Sequence, residues 1–140
     1  MTLKELIDEA VKYYLKNKSY LPIKFLNIFN PSTNTFKVWF IDTDIEYTFS
    51  KVFPNNTMSH KAEFYAVISE DFLDPGTLLC DSLAIPSDIT GDKRIILRIA
   101  WAIHTAYRNH ILTAYKLIEK DPKKLTWANA KKWYDTIRCY

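Results

Sequence analysis

Glycine is nearly missing from these 140 residues: only Gly76 and Gly91 occur. A phosphate-cradling loop needs several glycines so that backbone N–H groups can close on the anion, so Walker-type and dinucleotide-type loops are excluded. Turns must also be built largely from other residues. Cysteine is equally scarce. Cys80 and Cys139 are far apart, make no disulfide framework and lack metal-ligand spacing. No run is apolar for long enough to cross a bilayer. The N-terminus has no basic stretch followed by an apolar one. These features point to a reducing, cytoplasmic setting. A serine nucleophile elbow and a Cys–His pair are missing too, and no cofactor is implied.

What is abundant is aromatic: nine Tyr, eight Phe and four Trp. Such residues favour sheets and half-wet interfaces. The length suits one domain, residues 1–140, with a real core. The net charge is +3, but it is unevenly spread. Residues 1–92 hold eight Lys/Arg against thirteen Asp/Glu, a net of −5, and residues 93–140 hold eleven against three, a net of +8. The basic end therefore faces either an acidic partner, such as nucleic acid or protein, or the acidic part of this chain or of another copy.

Thr2 and Glu5 form a capping box ahead of an apolar stripe, Leu3, Leu6, Ile7, Ala10, Val11, Tyr14 and Leu15, which predicts an N-terminal helix. Four strands are expected next. They are residues 20–29 with Pro22 near the start, 35–41, 45–53 and 60–69. The third rests on the alternation of Ile45, Tyr47 and Phe49 with Glu46, Thr48 and Ser50. Asp42, Asp44 and Glu46 then surround a hairpin turn. The second strand is apolar on one side and mixed on the other, which suits a central position. Residues 70–92 contain the Asp74-Pro75-Gly76 turn signal and resist assignment.

Residues 93–119 form a long helix that is apolar around most of its circumference. Its wet sector is expected at Arg94, Arg98, Thr105, Asn109 and Lys116. Leu97, Trp101, Leu112 and Tyr115 flank that sector. They call for cover from the terminal helices or from a second copy, so the chain is expected to form a homo-oligomer. A last, basic amphipathic helix follows, capped by Asp121 or Thr126, with Leu125, Ala128, Trp133 or Tyr134, and Ile137 on its apolar side. The expected fold is α+β: an antiparallel sheet of about four strands packed against a long C-terminal helix, with an N-terminal helix and a short basic last helix.

Three groups of side chains are candidates for a site. Trp101, His104 and Arg108 lie in series on the long helix. A ring, a donor and a guanidinium fork there suit a nucleotide or phosphorylated ligand. Lys123, Lys124, Lys131 and Lys132 suit nucleic acid or an acidic partner. His110 lies mid-face and reads as a core histidine bonded to backbone or to a tyrosine hydroxyl. His60 has no ligand at metal spacing, and Asp71, Asp74 and Asp81 read as a solvated acidic loop, so no metal site is expected. The last helix has basic amphipathic character, but it is short and no membrane contact is expected.

The absence of a motif favours a non-catalytic binding or assembly protein that works through protein–protein contacts of the long helix and basic C-terminal helices, as an inhibitor or structural subunit. The alternatives are a nucleic-acid-binding protein and a small enzyme or ligand-binding protein using Trp101, His104 and Arg108.

Overall fold

A computed structural model describes residues 1–17, 24–52, 62–73, 85–86 and 88–137 of the chain. The expectations for Pro22, His60, the Asp74-Pro75-Gly76 turn, Cys80, Asp81 and Cys139 lie outside the described residues.

The first helix, α1, spans Leu3–Asn17. Its capping box is fully made. Glu5 Oε1 accepts from the Thr2 N–H at 3.1 Å, and the Glu5 N–H donates to Thr2 Oγ1 at 3.2 Å. Leu6, Ile7, Ala10, Val11 and Tyr14 make its buried stripe.

Strands β1 (Lys24–Asn30) and β2 (Thr35–Ile41) pair antiparallel. The turn between them lacks glycine. Asn34 takes the left-handed conformation instead, at φ 54°, and Asn is among the side chains that tolerate it best. Strand β3 (Glu63–Ile68) lies on the other side of β2, so the sheet order is β1-β2-β3. The second strand is central, as its two half-covered faces predict. In β3, Phe64, Ala66 and Ile68 are buried while Glu63, Tyr65 and Val67 are exposed.

The sheet has three strands among the described residues rather than four. Residues expected to form the third strand are helical: α2 spans Thr43–Val52. Ile45 and Phe49 are buried, and they lie four residues apart, which satisfies one helix face as well as alternate strand positions. Asp42 decides between the two. It is not a hairpin residue but the helix cap. Its Oδ1 accepts from the Ile45 N–H at 3.0 Å, and its backbone carbonyl accepts from the Glu46 N–H at 3.0 Å. Asp44 and Glu46 in the first turn and Lys51 in the last complement the helix dipole.

A short 3₁₀ turn at Glu70–Leu73 leaves the sheet. The long helix α3 (Gly91–Ile118) follows, and Gly91, at φ 68°, supplies a left-handed residue where it begins. The helix packs on β3 and along α1. Asp121 then caps the 3₁₀ turn Pro122–Lys124, and Thr126 caps α4 (Trp127–Ile137), accepting from the Asn129 N–H at 3.2 Å. Both capping residues are thus used, one for each turn.

Two expected faces are corrected. Arg98, placed on the wet sector of α3, is only 2% exposed. Its Nη1 donates to the Phe72 carbonyl at 3.1 Å, so the guanidinium ties α3 to the 3₁₀ turn after β3. Arg94 works similarly, donating to the Pro86 and Ile89 carbonyls, both at 2.9 Å. On α4 the buried side is Ala130, Tyr134 and Ile137, and Ala128 is exposed. The apolar flank of α3 is met within the chain. Tyr115 is buried with its ring 5.7 Å from that of Trp133, and Leu97, Trp101 and Leu112 are half-buried. Of the two sources of cover expected, the terminal helices or a second copy, the last helix is the one seen to cover Tyr115.

Candidate functional site

Asp42 sits where β2 becomes α2, with no exposed surface at all. Its N–H donates to the Ala62 carbonyl at 2.7 Å, and Oδ1 is used as the helix cap. Oδ2 lies 3.5 Å from His110 Nε2, midway along α3. At that separation the two groups face each other without a hydrogen bond of good geometry, and neither atom makes one elsewhere among the described residues. His110 is a core residue, as expected, but its partner is a carboxylate rather than a backbone group or a tyrosine. Its ring also stacks on Phe64, with centroids 4.9 Å apart.

Tyr134 of α4 completes the cluster. Its phenol is pushed far above its ordinary range, first by burial, then by the Asp42 carboxylate and by Tyr107. The Tyr107 and Tyr134 rings meet edge to face at 5.7 Å. One buried constellation thus fastens the start of α2, the middle of α3 and α4.

His110 also edges a groove of about 370 Å³ between β3 and α3, where Glu63, Asn109 and Thr113 supply polar groups. An Asp–His pair orients an imidazole and can make it a base. The hydroxyl beside it, Thr113 Oγ1, is committed to the Asn109 carbonyl at 2.8 Å. The cluster therefore reads as a tie between elements.

The residues expected to form a ligand site are placed as follows. Trp101 and His104 do touch, with ring centroids 5.6 Å apart. His104 Nδ1 is 3.1 Å from the Tyr14 hydroxyl, inside the contact of α3 with α1. Arg108 is engaged on α4, its guanidinium carbon 4.5 Å from the Trp127 ring centre. His104 and Arg108 are thus committed to two different helix–helix contacts, and Trp101 touches only the first of them.

Lys123, Lys124, Lys131 and Lys132 are all exposed. Lys124 and Lys132 line one groove of about 500 Å³ with Asn129 and Trp133, where Glu119 adds a carboxylate.

The outer face of the sheet is the largest feature that sequence reasoning missed. The strand register sets Leu26, Trp39 and Tyr65 in one row and Ile28, Lys37 and Val67 in the next. Leu26, Ile28, Tyr65 and Val67 are each about half exposed. Lys37 Nζ lies 4.1 Å from the Tyr65 ring centre, and Trp39 Nε1 donates to Glu63 Oε2 at 3.2 Å. The available signal was the apolar content of both faces of β1 in a sheet that needs only one.

Among the described residues no group of His, Cys, Asp and Glu could hold a metal ion, and no helix is long and apolar enough to cross a membrane. Comparison with known proteins finds no matching family model, no matching curated protein and no matching solved structure.

Proposed function

We propose that this chain is a non-catalytic binding or assembly protein whose contact surface is the outer face of its sheet. The observation that carries this reading is the pair of half-exposed rows, Leu26–Trp39–Tyr65 and Ile28–Lys37–Val67. Contiguous apolar surface rimmed by polar residues marks interaction sites far more often than scattered apolar residues do. The long helix, first expected to make the contacts, has much of its apolar surface occupied by α1, β3 and α4. A cytoplasmic location belongs to the same reading and rests on the cysteine usage and the lack of a long apolar run in the sequence.

The test is site-specific photo-crosslinking in cells that make the full chain. A crosslinker at Val67 should give a discrete adduct, and the same group at Thr105, exposed on α3, should not. Tyr65→Lys should abolish the Val67 adduct. Equal labelling at both sites, or none at Val67, rejects the reading.

A second reading is contact with nucleic acid or an acidic protein through the basic end. It is favoured by one observation: Lys124 and Lys132 flank a groove that also offers Trp133 and Asn129. The phosphorylated-ligand reading of Trp101, His104 and Arg108 is supported only by the contact between the first two, because Tyr14 and Trp127 occupy His104 and Arg108.

A further inference from the structure

We infer that the outer edge of β1 pairs antiparallel with the β1 edge of a second copy, joining two sheets into one of six strands. This names the occupant of part of the surface proposed above and rests on that reading. Four observations converge on it.

First, β1 is an edge strand, hydrogen-bonded on one side to β2 and to no other strand among the described residues. An open edge presents a row of backbone donors and acceptors, and proteins usually blunt it with charge, proline or a bulge. Here the charge and the proline stand only at the ends, Lys24 as the first residue and Pro31 just past the last, and the stretch from Phe25 to Asn30 has neither.

Second, β1 is exposed on both faces. Leu26 (54% exposed) and Ile28 (49%) lie on the outer face, and Phe29 (47%) lies on the inner one. Docking onto one face alone leaves the other uncovered, whereas strand addition adds neighbours on both.

Third, the sequence Phe25-Leu26-Asn27-Ile28-Phe29 reads the same in polarity from either end. A two-fold axis through antiparallel strands demands that property, because each residue then faces its mirror position in the other copy. With the axis at Asn27, Leu26 of each copy opposes Ile28 of the other on the outer face. The row Leu26–Trp39–Tyr65 of one copy then continues into Ile28–Lys37–Val67 of the other.

Fourth, Asn27 donates to Asp8 Oδ1 at 3.5 Å while its own Oδ1 has no donor among the described residues. On the axis two Asn27 amides meet, and a turn of the amide gives that oxygen a partner.

The contact is small. A fully buried large aromatic removes about 150–250 Å² from water, so three half-exposed side chains contribute roughly 300 Å² per copy, short of the ~800 Å² of a standard interface. The dimer should be weak, monomeric at about 1 µM and largely dimeric at about 100 µM. It should not weaken with salt, because the charges nearest the axis are the two Asp8 carboxylates that hold the Asn27 amides, and these are alike.

Sedimentation equilibrium of the full chain across that range tests the inference, with circular dichroism as the check on folding. Leu26→Lys with Ile28→Lys sets lysines opposite lysines and should weaken the dimer at least tenfold, since like charges directly opposed are unfavourable. Leu26→Lys with Ile28→Glu sets each introduced lysine opposite an introduced glutamate. It should restore association to within about threefold of the parent in this register only.

A parent chain that stays monomeric at about 100 µM overturns the inference. So does a dimer indifferent to the double lysine variant, or one that dissolves with salt, which places the contact between the acidic and basic parts of the chain. A position-specific adduct at Val67 from a strictly monomeric chain leaves the binding reading standing and removes only the second copy.

Discussion

Replacing Asp42 with alanine removes two interactions at once. The helix cap on α2 is lost, because Oδ1 no longer accepts from the Ile45 N–H; N-cap removal costs about 0.5–2 kcal/mol. The imidazole of His110, only 6% exposed, is also left without its carboxylate. Stranding a buried polar group costs about 1–3 kcal/mol. The two contributions act through different elements, so Asp42→Ala should destabilise by about 2–4 kcal/mol.

Asp42→Asn keeps an acceptor for the cap and a carbonyl that His110 can donate to. It should cost about 1 kcal/mol or less. Urea denaturation with a common slope for all variants measures both. Adding His110→Phe, which keeps a ring beside Phe64, closes a double-mutant cycle with Asp42→Ala. The coupling should be at least ~0.5 kcal/mol. Equal losses for the alanine and asparagine variants, together with no coupling, would show that Asp42 acts only as a spacer and that the His110 pair carries no weight.

Three further outcomes are expected. Arg98→Ala should cost about 2–3 kcal/mol, the value of a buried charged donor, whereas Thr105→Ala on the exposed side of α3 should stay within about 0.5 kcal/mol; reversed denaturation midpoints would put Arg98 back in solvent. The Tyr134 phenol is held neutral in the fold by burial and by Asp42, so its stabilising contribution is complete below the unfolded phenol range. That contribution should fall by about 1.4 kcal/mol per pH unit above about pH 10, and the slope of stability between about pH 10 and 11.5 should flatten in Tyr134→Phe; parallel slopes contradict this. If the basic end binds nucleic acid, Lys131→Glu with Lys132→Glu should weaken salt-sensitive, sequence-indifferent binding to a DNA duplex without changing thermal stability, and no binding by the parent at about 50 mM salt would reject that reading.

The helices at the two ends were legible because their signals are local. Thr2 and Glu5 are three residues apart, and the stripe of α1 repeats within one element. Strand β3 was legible for the same reason, alternating cleanly over six residues. Residues 43–52 were misread because Ile45 and Phe49 fit two periods, and β-branched and aromatic residues tipped the balance toward a strand. The helical signal was present in Asp42, Asp44 and Glu46 ahead of Lys51, but it resembled a polar turn. Arg98 was misplaced because a helical wheel assigns charge to water, and it cannot foresee a carbonyl such as that of Phe72 arriving from another element. The Asp42–His110 pair joins positions that no spacing rule connects. The open sheet face escaped notice because its apolar rows exist only once the strand register is known.

The pairing of α1 with α3 has a consequence for synthesis. The first helix made has as its main support a helix that ends at Ile118. While the chain is emerging, the stripe of Leu6, Ile7, Val11 and Tyr14 has no native surface to cover it. The β1–β2 hairpin, closed by a four-residue turn, is the one sheet contact available early, because pairing of β2 with β3 must wait for α2 and the residues after it. Folding should therefore start from the hairpin and finish by docking α1 onto α3. Changes at Asn34 should then slow folding, whereas truncations in the α1 stripe should mainly speed unfolding.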